Sequence, residues 1–463
     1  MDLKNKRVLV VGLGKSGVAS ALFLRERRAQ VTVSDSKTEN ELRGEIPKLL
    51  DQGITVEAGG HGERTFHKQD LIVVSPGVPV DVPQLSQARQ LGIPIIGEIE
   101  LASRFLKGHI VAITGSNGKT TTTALTGEVL AKGGKRALVG GNIGTPAISL
   151  VEESTDDTYV VLEVSSFQLE TIQEFRPKIA VLLNITPDHL DRYASFQAYV
   201  DAKARIFENQ TADDFSVLNA DEGQCVDLAG RIRARQTRAR QAWFSRKKEV
   251  EVGAWVKDSK IMFRSGGQDQ EIMPVSLVPL KGGHNLENVL AAVCVGMLAQ
   301  VPAQRIRTAV EEFKAVEHRL EYVATVRGVE FYNDSKATNV DATIKALESF
   351  PANIHLILGG KDKGSDYSVL NQLLRQRTKC VYTIGTAAQK IESQISGAVK
   401  AVHAETLETA VRRAAAAAVP GDIVLLAPAC ASFDQFQNYE HRGGVFKQAV
   451  HAMAEQANVE AAT

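Results

Sequence analysis

Short apolar runs alternate with longer helix-like stretches along most of the chain. Within the first hundred residues the runs "RVLVVG", "QVTVSD", "DLIVVS" and "IPII" are separated by stretches such as 16–28. Apolar runs of this length with helices between them are typical of a parallel sheet with crossover helices. This pattern predicts one α/β domain at the N-terminus.

The same alternation returns twice further along the chain. A second unit opens at "HIVAIT", passes through "TYVVLEVSS" and "KIAVLLNI", and ends in the helix-like stretches 285–300 and 303–313. A third starts near Glu317, where "IHLILGG", "CVYTIG" and "DIVLLAPA" alternate with the helix-like stretches 341–350 and 407–419.

We therefore predict an α/β fold with three domains, which also suits a chain of 463 residues. The first, residues 1–97, is predicted to be Rossmann-like. The central domain, 98–315, is predicted to resemble P-loop ATPases and to have a mostly parallel sheet. The C-terminal domain, 316–463, is predicted to be another Rossmann-like α/β domain.

Residues 230–275 differ from the rest of the central domain in their pattern of charged and apolar residues. The basic stretch "RIRARQTRARQ" is followed by short alternating runs such as "GAWVKD" and "KIMFRS". We predict a solvated segment followed by β-hairpins, and a nucleic-acid patch is the alternative.

Charge and cysteine usage exclude several functional classes. Lys and Arg total 54, as do Asp and Glu, so no basic field exists to hold a nucleic-acid backbone. Four widely separated cysteines lack a C-x-x-C pair and are expected to be reduced core residues. No cleavable leader or apolar stretch near ~18 residues occurs, so we expect a cytoplasmic protein without membrane association.

The first glycine loop, "VLVVGLGKSG", follows a predicted strand and precedes a predicted helix. Gly12, Gly14 and Gly17 have G-x-G-x-x-G spacing, and Asp35 ends the next strand. This arrangement suits a diphosphate at a helix N-terminus with a carboxylate near a ribose or base. The ligand could be a dinucleotide of a redox enzyme or a UDP-linked compound, and "SPGVP", residues 75–79, adds a second turn for it.

The second glycine loop, "AITGSNGKTTT", also lies between a strand and a helix. A strict phosphate-loop pattern would have glycine where Ile113 stands. Gly115 and Gly118 still allow backbone amides to face phosphates, and Lys119 and Thr120 suit the β- and γ-phosphates and Mg²⁺. A structural turn would not need Lys-Thr at the helix start, so we predict an ATP site.

Three further residues are candidates for metal chemistry near that loop. Glu163 ends a strand expected beside the loop strand, and a carboxylate there could hold Mg²⁺. His189 follows the next apolar run, where it could be a ligand, although a histidine is often only a hydrogen-bonded structural residue. Lys203 would ordinarily be a solvated lysine on a helix face.

The loop and its companion motifs resemble the Mur ligase superfamily, ATP-dependent amide-bond ligases of bacterial cell-wall synthesis. The contracted T-G-[ST]-N-G-K-[ST] loop of that family matches residues 114–120. Motifs of similar specificity are "GGNIGTP", "LEVSSFQL", "NITPDHLDRY", "KARIF", "GGHNLEN", "EHRLE", "NDSKATN", "GGKDKG" and "LLAPACASFDQF". They span nearly the whole chain, and "DSKATN" with a Rossmann-like first domain resembles the D-glutamate-adding members.

The resemblance implies a site for ATP and Mg²⁺, with two metal ions. The implied ATP-binding residues are Gly115, Ser116, Asn117, Gly118, Lys119, Thr120, Thr121, Asn285, Asn288, Arg319 and Asp334. The implied metal residues are Thr120, Glu163, His189 and Lys203, and Lys203 matches the lysine that is N6-carboxylated in this family. Lys119, His189, Lys203 and Arg319 are the implied catalytic residues.

It also implies the small-molecule substrates UDP-N-acetylmuramoyl-L-alanine, D-glutamate and ATP, bound by a monomer. The implied UDP-substrate residues are Gly14, Lys15, Ser16, Asp35, Ser36, Ser75, Pro76, Gly77 and Asn142. The implied D-glutamate residues are Lys336, Thr338, Lys363, Ser432, Phe433 and Tyr439. Two other functional classes, a nicotinamide-dependent oxidoreductase and a nucleotide-binding regulator without turnover, stay open at the level of sequence.

Overall fold

The computed structural model describes residues 1–189, 192–234, 239–314 and 316–462. Residues 190–191 of "NITPDHLDRY", 235–238 of the basic stretch and the predicted boundary residue 315 lie outside them. Two compact units make up the chain. One comprises Met1–Ile185, Gln197–Val275 and Val289–Val310; the other comprises Thr186–Phe196, Ser276–Asn288 and Glu311–Thr463.

The first unit begins with a parallel sheet in the order β3-β2-β1-β4-β5. Its strands are β1 (Arg7–Val11), β2 (Gln30–Asp35), β3 (Thr55–Ala58), β4 (Leu71–Val74) and β5 (Ile95–Gly97). Its helices are α1 (Lys15–Glu26), α2 (Ile46–Leu50), α3 (Glu63–Phe66), α4 (Pro83–Gln90) and α5 (Glu98–Ser103). The strand order reverses between β1 and β4, and this is where ligands bind to open α/β sheets.

The second sheet of this unit has the order β14-β13-β12-β11-β10-β9-β6-β8-β7. Its strands are β6 (His109–Thr114), β7 (Ala137–Gly141), β8 (Tyr159–Glu163), β9 (Ile179–Leu182), β10 (Phe215–Asn219), β11 (Arg240–Ser245), β12 (Gly253–Lys257), β13 (Lys260–Ser265) and β14 (Gln268–Pro274). Helices in this region are α6 (Lys119–Lys132), α7 (Ser166–Leu169), α8 (Phe196–Ala204), α9 (Gly223–Ala234), α10 (Gly283–Leu298) and α11 (Ala303–Glu312). From β7 through β11 every pair is parallel. The central strands β6, β8 and β9 are nearly continuous buried apolar runs, as expected of parallel strands covered on both faces.

The predicted hairpins form at the edge of that sheet. β12, β13 and β14 pair in antiparallel fashion, with a register shift between Ile261 and Met262. β11, by contrast, pairs with β12 in parallel and so continues the main sheet. The runs "GAWVKD" and "KIMFRS" therefore form the predicted hairpin, whereas β11 begins inside the basic stretch predicted only as a solvated segment.

The third sheet lies in the second unit and has the order β15-β16-β20-β17-β18-β19. Its strands are β15 (Glu321–Val326), β16 (Val329–Asn333), β17 (Ile354–Gly359), β18 (Thr378–Ile384), β19 (Ala401–Glu405) and β20 (Ile423–Leu426). Its helices are α12 (Val340–Glu348), α13 (Asn371–Arg377), α14 (Ala388–Gln394), α15 (Leu407–Ala417) and α16 (Tyr439–Ala462). Among the described strand pairs of this sheet, β15–β16 is antiparallel and the others are parallel, so the carboxyl ends of β16, β20 and β17 lie side by side.

Several helices end before the predicted residue, and backbone geometry explains why. α1 ends at Glu26, short of Arg28, because Arg28 has a left-handed φ of 64° that a helix cannot continue. α10 likewise ends at Leu298, before Gln300 with its φ of 59°. Apolar periodicity predicts the helix but not the residue that turns the chain away.

The cysteines and the helices bear on two expectations from the sequence. Cys225, Cys294, Cys380 and Cys430 are free and buried, as predicted. Among the described residues, no helix combines the length and the apolar character that crossing a membrane requires.

Candidate functional site

The first glycine loop needs glycine at two of its three positions. Gly12 has a φ of 90°, and a Cβ there would lie 2.7 Å from Val78 Cγ2. A Cβ at Gly17 would overlap the Gly12 carbonyl oxygen. Gly14 has open space around it and precedes α1, whose first turn no side chain caps. The free amides of that turn suit an anion.

Asp35 and Ser75 hold this loop in shape. The Asp35 carboxylate accepts hydrogen bonds from the backbone amides of Leu13 (2.6 Å) and Lys37 (2.8 Å). Ser75 Oγ donates to the Gly12 carbonyl oxygen at 2.8 Å. Both side chains are buried, and through these hydrogen bonds they hold the backbone of the loop.

The remaining UDP-substrate candidates are more accessible. Lys15, Ser36 and Gly77 are exposed, and Ser16 and Pro76 are half-buried. They flank the switch point between β1 and β4, at the carboxyl edge of the first sheet.

The second glycine loop joins β6 to α6 through Gly118, whose φ is 84°. Asn184 braces it from the end of β9. Its Oδ1 accepts from Asn117 N at 2.9 Å, its Nδ2 donates to the Asn117 carbonyl at 3.1 Å, and its own carbonyl accepts from Ser116 N at 3.0 Å. The contracted loop therefore depends on a neighbouring strand end, where a Cβ at Gly115 would lie 3.0 Å from Leu183 Cβ.

Two lysines converge on the Gly115 carbonyl oxygen. Lys119 Nζ donates to it at 2.9 Å and to the Ser116 carbonyl at 2.8 Å, while Lys203 Nζ donates to Gly115 at 2.9 Å. Lys203 is only 1% exposed, and its Nζ lies 4.7 Å from the centre of the Tyr199 ring. The solvated helix-face reading of Lys203 is therefore wrong.

Glu163 brings together two residues predicted for different roles. Its Oε2 accepts from the Thr120 hydroxyl at 2.8 Å, and its Oε1 accepts from Asn142 Nδ2 at 2.9 Å. Glu163 is buried, and Thr121, the residue after Thr120, has a buried hydroxyl without a hydrogen-bond partner in the described chain. A hydroxyl and a carboxylate at a phosphate loop form the hard oxygen set that Mg²⁺ prefers.

In the second unit, Asp188 links two predicted residues. It accepts a hydrogen bond from the His189 amide at 2.9 Å, its Oδ2 lies 3.6 Å from His189 Nε2, and its Oδ1 lies 3.6 Å from Lys363 Nζ. Asn339 Nδ2 donates to the same carboxylate at 2.9 Å. His189 and Lys363 line a cavity of about 470 Å³ whose apolar side includes Val340 and Ile344.

Arg319 and Asp334 face each other in the same unit. Arg319 Nη1 lies 3.9 Å from Asp334 Oδ1, and burial raises the pKa of Asp334 to about 6. Arg319 Nε and Asp334 Oδ1 are both buried without a hydrogen-bond partner in the described part of the chain. Buried polar groups in this condition suit a ligand that supplies the missing bonds.

The other D-glutamate candidates cluster at the carboxyl edge of the third sheet. Lys336 and Thr338 follow β16, and Ser432 and Phe433 follow β20. Ser432 is buried, Phe433 is 68% exposed, and Lys336 Nζ lies 5.2 Å from the centre of the Tyr439 ring. Strand order therefore brings these two segments together although they are far apart in sequence.

Asn285 and Asn288 form a short chain of hydrogen bonds at the start of α10. Asn285 Nδ2 donates to the Lys281 carbonyl at 2.7 Å, and Asn288 Nδ2 donates to Asn285 Oδ1 at 3.1 Å. Both side chains are buried.

The predicted ATP and metal residues are divided between the units. Gly115–Thr121, Glu163 and Lys203 belong to the first unit, and His189, Asn285, Asn288, Arg319 and Asp334 belong to the second. Sequence reasoning missed Asn184, Asp188 and Tyr199, although the first two lie in the quoted motif "NITPDHLDRY".

Family models match three successive parts of the chain. A Mur ligase MurD-like N-terminal domain matches residues 6–97, a Mur ligase middle domain matches 113–296, and a Mur ligase glutamate ligase domain matches 318–430.

Curated relatives match almost the full length. UDP-N-acetylmuramoylalanine–D-glutamate ligases are 66% identical in Koribacter versatilis, 61% in Acidobacterium capsulatum and 51% in Solibacter usitatus. Each alignment covers 98% of this chain and 97–99% of the relative.

Solved structures share the fold at low sequence identity. A pseudomurein peptide ligase type C from Methanothermus fervidus has a TM-score of 0.61 at 20% identity, covering 97% of this chain and 100% of its own. A MurF ligase from Thermotoga maritima in complex with ADP has a TM-score of 0.61 at 17% identity, covering 98% and 100%. The fold is thus the three-domain Mur ligase architecture. The chain belongs to the Mur ligase family of ATP-dependent ligases, which act in peptidoglycan precursor synthesis.

Proposed function

We propose that the chain joins D-glutamate to UDP-N-acetylmuramoyl-L-alanine in the cytoplasm, with conversion of ATP to ADP and phosphate. The observation that carries this proposal is the 66% identity over 98% of the chain to a UDP-N-acetylmuramoylalanine–D-glutamate ligase. The three-domain boundaries 1–97, 98–315 and 316–463 stay a prediction, with one sheet in each segment.

ATP would bind at the second glycine loop. The backbone amides at the start of α6 face the phosphates, and Lys119 exchanges its carbonyl partners for phosphate oxygens. The exchange is favourable because an ammonium binds an anion more strongly than it binds a neutral carbonyl. Asn285, Asn288, Arg319 and Asp334 complete the proposed ATP residues.

Two Mg²⁺ ions are proposed to accompany the nucleotide. Thr120 and Glu163 supply oxygen ligands, and His189 and a carboxylated Lys203 supply the others. When bound, Mg²⁺ neutralises charge that develops on the phosphates. Carboxylation suits Lys203 because a carbamate binds cations whereas an ammonium repels them, and the family pattern at this position supports it.

The chemistry requires activation of a carboxylate. A carboxylate resists attack by an amine because it is an anion and oxide is a poor leaving group. The terminal carboxylate of the muramoyl substrate therefore takes the γ-phosphoryl group of ATP, giving an acyl phosphate and ADP. Lys119 and Arg319 stabilise the charge that spreads over the transferred group.

The neutral amine of D-glutamate then attacks the acyl carbon. The tetrahedral intermediate collapses with loss of phosphate, and the amide bond forms. The amine proton must leave in this step, and the proposed acceptor is a metal-bound group, or His189 where it is not itself a metal ligand. Closure of the domains over the acyl phosphate would exclude water.

The two other substrates have separate proposed sites. The diphosphate of the UDP substrate lies at the first glycine loop, near Gly14, Lys15, Ser16, Ser36 and the turn 75–77, and Asn142 contacts the muramoyl part. For D-glutamate, Lys336 and Lys363 neutralise the carboxylates, and hydroxyl and aromatic contacts come from Thr338, Ser432, Phe433 and Tyr439.

A phosphate-release assay tests this function. The protein is mixed with ATP, Mg²⁺, UDP-N-acetylmuramoyl-L-alanine and D-glutamate, and each component is omitted in turn. We expect release only when both acceptors are present. Release that is independent of D-glutamate would contradict the proposal, and absence of turnover would favour the nucleotide-binding regulator.

A further inference from the structure

Arg442, in the first turn of α16, is among the largest fully buried side chains of the described chain, with 0% exposure. Its Nε donates to Ser335 Oγ at 3.0 Å, and its Nη2 donates to the Ser335 carbonyl at 2.8 Å. Its Nη1 lies 3.2 Å from the Cys430 carbonyl oxygen and 3.4 Å from that of Ala431. One guanidinium thus binds two segments about a hundred residues apart.

Those two segments carry most of the proposed D-glutamate residues. Ser335 immediately precedes Lys336, and Cys430 and Ala431 immediately precede Ser432. Each segment follows one of two adjacent parallel strands, β16 and β20. Strand pairing fixes the segments up to Asn333 and Leu426, and the Ala429 amide then donates to the Ala337 carbonyl oxygen at 2.9 Å. Residues 430–433 lie beyond that bond, so their placement relative to Ser335 depends on a further constraint.

The first turn of α16 supplies that constraint at several points. Ser335 Oγ, which accepts from Arg442, donates in turn to the Tyr439 carbonyl at 2.8 Å. The Tyr439 ring then faces Lys336 Nζ. Arg442, Ser335 and Tyr439 therefore form one network that reaches Lys336 through the Tyr439 ring.

Only arginine satisfies this geometry. A guanidinium has five donors in a rigid plane, so it can bind both segments at once, whereas an ammonium is a point donor. Within the described residues, the polar partners of Arg442 are a hydroxyl and three carbonyl oxygens, and no carboxylate pairs with it. Burial lowers the pKa of Arg442 to about 10, so the side chain still carries its charge at neutral pH.

We propose that Arg442 is a positioning residue that sets the spacing between segments 334–338 and 430–433, and thereby the affinity for the dicarboxylate amino acid. This inference rests on the proposed function, since it concerns D-glutamate.

The test is a steady-state analysis of Arg442→Lys with all three substrates. Loss of charged hydrogen bonds to one segment should raise the KM for D-glutamate by about 10- to 100-fold, as expected for bonds of this strength. The KM for the UDP substrate should change less than about twofold, because none of its proposed residues lies in the two segments. The KM for ATP should rise less than that for D-glutamate, because Asp334 is the one proposed ATP residue in them.

Arg377→Lys is the matched control. Arg377 Nη1 also binds backbone carbonyls in the second unit, those of Leu347, Glu348 and Phe350, at the end of α12. This variant should lose thermal stability without raising the KM for D-glutamate. If Arg442→Lys instead changes all three KM values equally, its role is structural and the inference is overturned.

Ser335→Ala is a milder variant for the case in which Arg442→Lys does not fold. It removes the bridging hydroxyl and should raise the KM for D-glutamate by about 3- to 10-fold, in line with one lost hydrogen bond. An unchanged KM would overturn the inference. If the wild-type protein shows no D-glutamate-dependent phosphate release, the proposed function fails rather than the role of Arg442.

Discussion

The Arg319 guanidinium and the Asp334 carboxylate lie 3.9 Å apart and buried, yet neither Arg319 Nε nor Asp334 Oδ1 has a hydrogen-bond partner in the described chain. Burial outweighs the attraction of Arg319 and raises the pKa of Asp334 from 3.8 to about 6. Burial of this pair therefore destabilises the folded protein, and a ligand that hydrogen-bonds to these two atoms would offset the destabilisation.

Asp334→Asn should stabilise the unliganded protein at pH 7 and impair catalysis. The folded wild type binds a proton at Asp334 up to about pH 6, whereas the unfolded chain releases it near pH 4, so stability falls as pH rises through that window. The shift corresponds to at most about 3 kcal/mol, which the asparagine variant should regain at neutral pH.

Thermal unfolding at pH 5 and pH 7.5 measures this effect. The wild type should lose stability between the two values and Asp334→Asn should lose less, while its phosphate-release rate drops by about tenfold or more because an ATP contact is altered. Glu408→Gln, at an exposed glutamate of α15, is the control and should behave as wild type. If Asp334→Asn loses as much stability between pH 5 and pH 7.5 as the wild type does, Asp334 is not the source of the pH dependence.

Glu98 and Glu100, two buried glutamates of α5, should respond oppositely to neutral replacement. Glu98 accepts from Ile148 N at 2.8 Å, its Oε2 has no partner among the described residues, and burial raises its pKa from 4.5 to about 7. Glu98→Gln should therefore gain up to about 3 kcal/mol above pH 7, since the wild type loses stability as pH rises from 4.5 to 7.

The carboxylate oxygens of Glu100, by contrast, both have hydrogen-bond partners. Its carboxylate accepts from the amides of Gln173, Glu174 and Phe175 and pairs with Arg104. Glu100→Gln should cost about 2 kcal/mol by removing a charge-assisted acceptor. Denaturant midpoints of both variants at pH 5 and pH 8 check the contrast, and equal destabilisation by both would contradict it.

How far the sequence predicts this molecule depends on which contacts are local. Buried strands are continuous apolar runs, and the Gly118-Lys119-Thr120 sequence carries its own chemistry, so the sheets and the phosphate loop are predictable. Asn184 and Arg442 are not, because a lone asparagine or arginine carries no signal until the fold brings it to a partner 67 or 107 positions away.

Lys203 shows a related limit. A lysine on a helix face is ordinarily solvated, and only the packing of α8 against the phosphate loop buries it at the Gly115 carbonyl. The resemblance to a family, rather than the helix pattern, singles it out. For Asp35 and Asn142 the sequence predicts ligand contacts but not their hydrogen bonds within the protein. Asp35 bonds to Leu13, and Asn142 bonds to Glu163.

Lys203→Ala should lose most ligase activity, and a small carboxylate such as formate should restore part of it. A formate ion in the vacated space would supply the anionic oxygens that a carboxylated lysine provides. Intact-protein mass spectrometry of the wild type in bicarbonate should detect added carbon dioxide at this residue. Lys132→Ala, at the far end of α6, should need no rescue, and an unmodified, dispensable Lys203 would disprove the idea.

Lys363→Met should raise the KM for D-glutamate far more than that for ATP. Lys363 Nζ lies 3.6 Å from Asp188, lines the cavity of about 470 Å³, and is proposed to neutralise a substrate carboxylate. Losing a charged hydrogen bond of about 2 kcal/mol corresponds to a KM about thirtyfold higher. Lys361→Met is the matched control, because Lys361 lies two residues away on the same loop with an exposed side chain. Its KM values should stay near those of the wild type. Equal KM increases for ATP and D-glutamate in Lys363→Met would show instead that the lysine supports the loop, through Asp188, rather than the substrate.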